Sequence, residues 1–265
     1  LEPGRDITVE FIYNILRSGK VYRVLDHGDA SPTSVIWFVA WKKWFFAVRE
    51  YYKPGALVSE HRANVHYLSH LNGYLEKYAN NWADPQIFKK DQQKYGGFWS
   101  ISDEWLDPQL TKAPGVAWSP ADNNELTTRN RINEYLKVDL DIPHPVTGEM
   151  GAPRFYFIKK TENYPFGCHH LIAETKAQRR EQIDTLNGKP IFSDDRDESI
   201  SDHAYDNLRY FVAMHPFWSK VTRINAPKGS FFDAKQALRA LKQRPGGLAV
   251  IFGDVHNNSS QLGSY

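Results

Sequence analysis

The chain has little of several features that would identify a protein class at once. It has one cysteine in 265 residues, which excludes an internal disulfide and a zinc site built from cysteines. Its longest apolar run, Val35–Trp41, is far too short to cross a bilayer. Its 33 basic and 31 acidic residues give a formal charge of +2, which neither requires nor excludes a nucleic-acid partner. The length of 265 residues predicts one large domain or two small ones.

The sequence also has few methionines and lacks the glycine-rich motif of a phosphate-binding loop. The methionines are Met150 and Met214 and the first residue is a leucine, so we expect the chain to be a piece of a longer protein. The G-x-x-x-x-G-K-[ST] loop that holds nucleotide phosphates does not occur, since Ser18-Gly19-Lys20 lacks the leading glycine and follows no predicted strand. ATPase chemistry is therefore not expected from these residues.

What is present first is a succession of β-rich segments. Val21–Asp26, Thr33–Trp41 and Trp44–Tyr52 are separated by short turns, which predicts an antiparallel meander. Ser59–Tyr78 has apolar residues three and four positions apart, which predicts a helix, and Asn80–Asp84 is predicted as the next strand. Because a helix between two strands makes parallel neighbours possible, the expected fold is α/β, a mixed sheet with helices on its faces.

The second half of the chain alternates loops, short strands and helices. Gln92–Lys112 is predicted as an irregular inserted loop. Val138–Ile142 and Arg154–Ile158 are expected to pair as a hairpin around Thr147-Gly148, and Gln182–Asp197 is predicted as a loop. The remaining predicted elements are the strand Gly115–Trp118 and the helices Asn124–Lys137, Pro165–Arg180 and Ser201–His215.

The composition divides the chain into three parts. Residues 1–20 are predicted as a linker segment, with an amphipathic helical pattern over Asp6–Arg17. Residues 21–215 contain the predicted sheet and form the domain. Residues 216–265 are a basic C-terminal tail, which we expect either to bind DNA or another protein or to form a solvated helix.

Acidic residues fall at the ends of two predicted strands and on the last helix. Asp26 ends the first strand and Asp84 ends the strand after the crossover helix, so parallel pairing would bring both to one edge. Asp206 lies on the late helix, one turn after Asp202 and three residues after His203. Carboxylates that converge without basic partners repel each other, and divalent cations relieve that repulsion. Taken alone, an aspartate at a strand end is most often a turn or helix cap.

Four short segments surround these acidic residues. Val24–Val35 is a strand ending in Asp, followed by a Gly turn and Pro-Thr, and Trp82–Phe88 has Asp-Pro before apolar residues. Glu50–Gly55 ends the third strand, and His203–Tyr210 has the form His-x-x-Asp-x-Leu-Arg-Tyr. In this order, over residues 21–214, they resemble the motifs of the nuclease domain of tailed-phage large terminases. The departures are a Gln where that family has Ser in the second acidic motif and an Asn where it has Ala in the last.

The resemblance implies a ribonuclease H-like fold, in which three antiparallel strands are followed by parallel strands and flanked by helices. It implies metal-dependent endonucleolytic cleavage of concatemeric viral DNA during genome packaging. By position, it also implies that Asp26, Asp84 and Asp206 hold Mg²⁺ or Mn²⁺, with two ions expected. His203 would lie beside them as a further ligand or as an acid/base.

Other residues are secondary candidates under the same resemblance. Asp29 and Asp202 are alternative metal ligands, because each lies within one turn of a chosen ligand. Glu50 is a weaker candidate and is predicted to be an exposed residue at a strand end. The basic residues expected near the DNA phosphates, for each of which a solvated surface position is the default, are Lys89, Lys90, Lys112, Arg129 and Arg131.

The resemblance also implies partners and a place of action. Large terminases join this domain to an N-terminal packaging ATPase, so residues 1–20 would be the linker from a missing ATPase domain. The expected partners are double-stranded DNA, the portal protein, the small terminase subunit and the ATPase domain of the same full-length chain, without a membrane. The expected location is the cytoplasm of the host cell during phage assembly.

Three other functions stay open at this point. A related resolvase or transposase would use the same acids and would need a synapsis or junction-binding region, which the sequence does not indicate. A non-catalytic module would bind DNA or protein without cleavage. A glycosidase with paired carboxylates fits the 14% aromatic content but not the predicted strand order.

Overall fold

The computed structural model describes residues 1–70, 76–92, 98–186, 189–197 and 199–214. The predicted basic tail, residues 216–265, lies outside the described residues, and its expected binding role stays a prediction. Within the described ranges, no helix is both long and apolar enough to cross a membrane.

The secondary structure alternates between helices and strands after an N-terminal helix. The helices are α1 (Val9–Ser18), α2 (Val58–Leu68), α3 (Ile101–Leu106), α4 (Glu125–Leu136), α5 (His169–Ala177) and α6 (His203–Met214). The strands are β1 (Lys20–Asp26), β2 (Pro32–Trp41), β3 (Trp44–Pro54), β4 (Tyr78–Ala83), β5 (Asp91–Gln92), β6 (Phe98–Trp99), β7 (Ser119–Pro120), β8 (Asp139–Pro143), β9 (Met150–Ala152), β10 (Phe155–Phe157), β11 (Arg180–Leu186) and β12 (Lys189–Arg196). A 3₁₀ turn, Pro85–Phe88, follows β4.

The main sheet of the described residues has six strands in the order β10-β3-β2-β1-β4-β7. Strands β1, β2 and β3 pair antiparallel, as the meander predicts. Strand β4 pairs parallel to β1, and β7 pairs parallel to β4. Strand β10 adds a further parallel edge beside β3. An antiparallel meander extended by parallel strands and covered by helices is the ribonuclease H-like arrangement, so the predicted fold class is confirmed.

The central strands are buried on both faces of the sheet. Residues 35–39 of β2 are fully buried, and such a continuous apolar run is typical of a strand covered on both sides. Alternate side chains point to opposite faces, so Trp37 belongs to one apolar cluster and Phe38 to the other. The ring of Phe211 from α6 stacks on Phe38 with 4.3 Å between ring centroids. Helix α6 is thereby held against the sheet.

Helix α1 covers the opposite face, and the predicted N-terminal helix is confirmed. Thr8 begins it as the N-cap, because its side-chain oxygen accepts a hydrogen bond from the backbone N–H of Phe11 at 3.1 Å. Ile12, Ile15 and Leu16 are buried in the same cluster as Trp37. The role of residues 1–20 as a linker stays a prediction.

Two strand assignments in the second half were wrong. Strand β8 pairs with β9, not with residues 154–158, although the predicted turn at Thr147-Gly148 lies between them. The segment 155–157 is β10 and joins the main sheet instead, since the side chains of Phe155 and Tyr156 are buried there. The segment 182–197, predicted as a loop, belongs to the antiparallel hairpin β11–β12. Its described side chains are mostly exposed, so it has no apolar alternation to reveal a strand.

Element ends also differ from the predictions. The inserted segment 92–112 contains α3. This helix begins with a capping box, in which the side chains of Ser100 and Asp103 each accept a hydrogen bond from the other residue's backbone N–H. Tyr78 belongs to β4 and not to the preceding helix, and helix α5 ends at Ala177, before Arg180 starts β11. The strand predicted at residues 115–118 is displaced to β7.

A buried ion pair holds the crossover between β3 and β4. Arg49 Nη2 lies 2.9 Å from Glu76 Oε1, and the two side chains are 0% and 1% exposed. Arg49 also donates a hydrogen bond to the carbonyl of Leu68 at the end of α2. The hydroxyl of Tyr78 in β4 donates to Glu76. These contacts connect the end of α2 to the start of β4, and so fix where β4 enters the sheet.

We expect Glu76→Ala to lower the free energy of unfolding by about 3–5 kcal/mol, because it leaves Arg49 as a buried charge without its carboxylate. Urea unfolding followed by tryptophan fluorescence measures the loss. Glu60→Ala is the control, since it removes a pair with Lys53 at 3.5 Å whose side chains are about half exposed. That change is expected to be below about 1 kcal/mol. Equal losses in the two variants would contradict the role given to the buried pair.

Candidate active site

The carboxyl-terminal ends of β1 and β4 lie side by side. In their parallel pairing, Leu25 is opposite Ala83. The backbone N–H of Asp84 then donates to the carbonyl of Leu25 at 3.1 Å. Asp26, the last residue of β1, and Asp84, the first after β4, therefore leave the sheet at the same edge, as the sequence predicts.

Asp84 is also the cap of the 3₁₀ turn. Its Oδ1 accepts a hydrogen bond from the backbone N–H of Gln86 at 2.8 Å. Pro85 suits the first position of the turn, because its ring fixes φ and no N–H is needed there. Among the described residues, Oδ2 of Asp84 has no hydrogen-bond partner. The capping role and a role in the site are thus compatible, since they use different oxygens.

A buried glutamate on α5 determines where α6 begins. Glu174 Oε2 accepts hydrogen bonds from the backbone N–H groups of Ala204 and Tyr205, at 2.7 and 3.0 Å. A carboxylate here satisfies N–H groups that have no partner within the helix and is favoured by the helix dipole. The first turn of α6 carries His203 and Asp206, so Glu174 fixes the position of both. The sequence analysis did not identify Glu174.

Asn207 attaches α6 to the sheet. Its Nδ2 donates to the backbone oxygen of Ser34 at 3.0 Å and to the hydroxyl of Ser34 at 2.9 Å, and both residues are fully buried. Ser34 lies opposite Asp26 in the pairing of β1 with β2. The Asn that departs from the terminase motif therefore has a structural role, because it aligns α6 with the strand that carries Asp26.

His203 and Asp26 form a direct contact across this interface. His203 Nδ1 lies 2.9 Å from Asp26 Oδ2. Burial raises the pKa of Asp26 to about 6, against the opposing effect of the His203 hydrogen bond, while the charges of Asp206 and Asp84 raise it further. The hydrogen bond to Asp26 in turn raises the pKa of His203 above its ordinary value. The contact between His203 and Asp26 is partly buried, so each group affects the charge state of the other.

The side chains of Asp26, Asp84, His203 and Asp206 line one cavity of about 580 Å³. It contains residues from the ends of β1 and β4, from the start of α6 and from the inserted segment around α3. The predicted site residues that line it are Asp26, Asp84, Lys89, Asp202, His203 and Asp206.

The expectation that these carboxylates have no basic partners is wrong. Asp206 Oδ1 accepts hydrogen bonds from Arg196 Nη1 and Arg209 Nη1, each at 2.7 Å. Arg196 Nη2 also lies 2.7 Å from Asp202 Oδ2. The contact was missed because Arg196 ends β12, in a segment predicted as a loop, and nothing in the sequence brings that loop to the site.

Two of the secondary acidic candidates lie elsewhere. Asp29 is exposed and is not among the residues lining the cavity. The prediction that Glu50 is exposed is wrong, because its side chain is 5% exposed. Its carboxylate accepts the backbone N–H groups of His170 and Leu171, at 3.0 and 2.8 Å, and contacts His170 Nδ1 at 2.6 Å. Glu50 therefore caps α5 and has a structural role.

The predicted DNA-binding residues are dispersed. Lys89 lines the carboxylate cavity, whereas Lys90 and Lys112 are exposed outside its lining. Arg129 lines a second cavity of about 230 Å³, to which several arginines contribute. Arg131 Nη1 donates to the carbonyl of Ala213 at 3.2 Å and so connects α4 to α6.

The residues of the carboxylate cavity suit a divalent cation in their chemistry. Carboxylate oxygens are the ligands that Mg²⁺ and Mn²⁺ prefer. Asp26 is buried and shares the cavity lining with Asp84 and Asp206, so its negative charge is unfavourable there and a cation would relieve this. Among the residues that the structure describes, no three His, Cys, Asp or Glu side chains are already arranged around one ion position.

The fold and this edge define a ribonuclease H-like α/β domain with a carboxylate-lined cavity. Solved structures similar to it include the SPP1 bacteriophage large terminase nuclease domain with bound Mn, at 13% identity, a TM-score of 0.47, and coverage of 81% of this chain and 96% of that one. The P22 large terminase nuclease domain is similar at 15% identity, a TM-score of 0.44, and coverage of 76% and 83%.

A longer protein is similar over part of its length. This is the large terminase of the thermophilic bacteriophage D6E in complex with ADP, at 16% identity and a TM-score of 0.46. The match covers 73% of this chain and 39% of that one, so the chain spans about two fifths of the longer protein. No protein-family model and no curated protein matches the sequence. The solved structures similar to this chain are therefore large terminases and their nuclease domains, at 13–16% identity.

We expect the pair between Glu50 and His170 to make the stability of the fold depend on pH. The hydrogen bond to Glu50 raises the pKa of His170 above its ordinary value of 6.5, against the effect of burial. A group with a raised pKa in the folded state stabilises the protein below its unfolded pKa, and this contribution is lost as pH rises through the folded pKa. We expect NMR titration to show the raised pKa and Glu50→Gln to lower it.

Chemical denaturation across pH tests the same pair independently. His170→Gln is expected to reduce stability at acid pH and to have a smaller effect above the folded pKa of His170, because the positive charge is then absent in both proteins. A loss that is constant from pH 5 to 9 would indicate that the pair contributes packing alone.

Proposed function

We propose that this chain is a nuclease domain of the large terminase type, a Mg²⁺- or Mn²⁺-dependent endodeoxyribonuclease that cleaves concatemeric double-stranded DNA during genome packaging. The observation that supports this most directly is the common edge of β1 and β4. It brings Asp26 and Asp84 to a cavity that α6 completes with Asp206 and His203. The order of the four sequence motifs supports the same function.

The metal would be held by carboxylates of that cavity. Asp26, Asp84 and Asp206 are the proposed ligands, with Asp202 as an alternative and two ions expected. Asp29 is left out, because it does not line the cavity. Bound metal ions of this kind activate the attacking water and stabilise the leaving oxygen of a phosphodiester.

The protein's own groups would orient the reaction and move its protons. Asp26 holds the imidazole of His203 through Nδ1, which leaves Nε2 as the nitrogen that can accept a proton or donate one. His203 lines the cavity and would donate a proton to the departing oxygen. Lys89, which lines the cavity, would contact a DNA phosphate without reading sequence.

The wider assembly belongs to the same proposal. Lys90, Lys112 and Arg129 are proposed to contact DNA outside the cavity, whereas Arg131 is better explained by its bond to Ala213. The full-length chain would carry a packaging ATPase and would work with the portal protein and the small terminase subunit. The site of action would be the host cytoplasm during phage assembly.

We expect Asp26→Asn and Asp84→Asn each to reduce Mn²⁺-dependent cleavage of supercoiled plasmid by on the order of a hundredfold or more. Each change removes a charged ligand that contributes several kcal/mol of transition-state stabilisation through the metal. Gel analysis of nicked and linear products with Mg²⁺, Mn²⁺ or chelator measures the effect. Glu10→Gln, at an exposed position of α1, is the control and is expected to cleave like the wild type.

The same assay separates the remaining alternatives. Full cleavage by Asp84→Asn would overturn the site. DNA retained by the wild type without cleavage in either metal would favour a non-catalytic binding module. A strong preference for four-way junctions over linear duplex would favour a resolvase-type nuclease.

A further inference from the structure

Arg196 is the point at which the hairpin β11–β12 contacts the carboxylate cavity. It is the last residue of β12, and its side chain is 17% exposed. Its Nη1 lies 2.7 Å from Asp206 Oδ1, and its Nη2 lies 2.7 Å from Asp202 Oδ2. One guanidinium group therefore bridges two of the aspartates that line the cavity.

Arg209 also contacts Asp206, but its surroundings differ. It lies on the same helix as Asp206, three residues later, and its side chain is 5% exposed. Its Nη2 donates to the carbonyl of Asn123 at 3.1 Å, and its Nε donates to the hydroxyl of Thr128 at 3.4 Å. Arg209 is therefore built into the packing of α6 against α4, whereas Arg196 reaches Asp206 from a separate hairpin.

Arg196 and Arg209 place positive charge on one side of the cavity only, beside Asp202 and Asp206. Asp202 and Asp206 carry two negative charges, and Arg196 and Arg209 supply two positive charges within hydrogen-bonding distance of them. On the other side, Asp26 contacts His203. The side formed by Asp202 and Asp206 is thus neutralised before any divalent cation binds.

We propose that Arg196 is a built-in counterion that competes with the divalent cation for Asp202 and Asp206. A metal ion that approaches these carboxylates must displace the guanidinium or bind against its positive charge, and either reduces metal affinity. The alternative role is positioning, in which Arg196 holds Asp206 ready for the metal. The two roles predict opposite signs for the effect of removing the charge. This inference rests on the proposed metal-dependent function.

The test is isothermal titration of MnCl₂ into the full chain without nucleic acid. We expect Arg196→Gln to bind Mn²⁺ at least about tenfold more tightly than the wild type, because it removes a positive charge in contact with the ligands. Arg196→Met repeats the test with the aliphatic stem retained, should Gln impair folding. Arg196→Lys keeps the charge and is expected to bind with an affinity closer to that of the wild type.

Arg179→Gln is the matched control. Arg179 precedes the same hairpin, is 66% exposed and pairs with Asp197 at 2.9 Å, and neither residue lines the carboxylate cavity. Its removal is expected to change Mn²⁺ affinity less than twofold. An equal gain in Arg179→Gln would show that net charge alone is responsible, and would overturn a specific role for Arg196.

The sign of the affinity change decides the proposal. Unchanged Mn²⁺ binding in the uncharged variants overturns it, and weaker binding overturns it and assigns Arg196 a positioning role. Failure of the proposed function is a separate result, in which the wild type binds Mn²⁺ but cuts no plasmid. No Mn²⁺ binding by the wild type or by any Arg196 variant at millimolar concentration would overturn both.

Discussion

The parallel pairing of β1 with β4 is the constraint on which the site depends. Two antiparallel strands would place Asp26 and Asp84 at opposite edges of the sheet, whereas parallel neighbours end at the same edge. The pairing is possible because α2 crosses over between β3 and β4, and because the buried pair of Arg49 and Glu76 holds that crossover. A buried ion pair that does not line the cavity thus helps to bring the two carboxylates together there.

The third part of the site is brought in by hydrogen bonds from buried polar groups. Helix α6 is attached by Glu174 at its first turn and by the bond from Asn207 to Ser34. Apolar packing such as Phe211 on Phe38 holds the helix to the sheet but does not fix its register as closely. Directional bonds do, because a shift along the helix axis would leave buried donors and acceptors unpaired.

Local patterns explain what the sequence could predict. The strands β1 to β3 were found because continuous apolar runs such as residues 35–39 mark strands buried on both faces, and the shared edge followed from the order of the strands. The hairpin β11–β12 was missed because it is largely exposed and needs no apolar alternation. Glu50 was misjudged because its partner His170 is 120 residues away, and Arg196 because its contacts depend on a strand assignment that was wrong.

The cavity combines two unlike electrostatic surroundings. Asp26 is destabilised as an anion by burial and by its neighbours Asp206 and Asp84, and its side chain contacts a histidine whose charge depends on pH. Asp206 is instead neutralised by arginines, which stay charged at any pH that the fold survives. If a divalent cation binds here, the burial of Asp26 strengthens its attraction to that carboxylate. On the other side, Arg196 limits its access to Asp206. Substitutions of His203 and Arg196 therefore act on different sides of one cavity and should have separable effects.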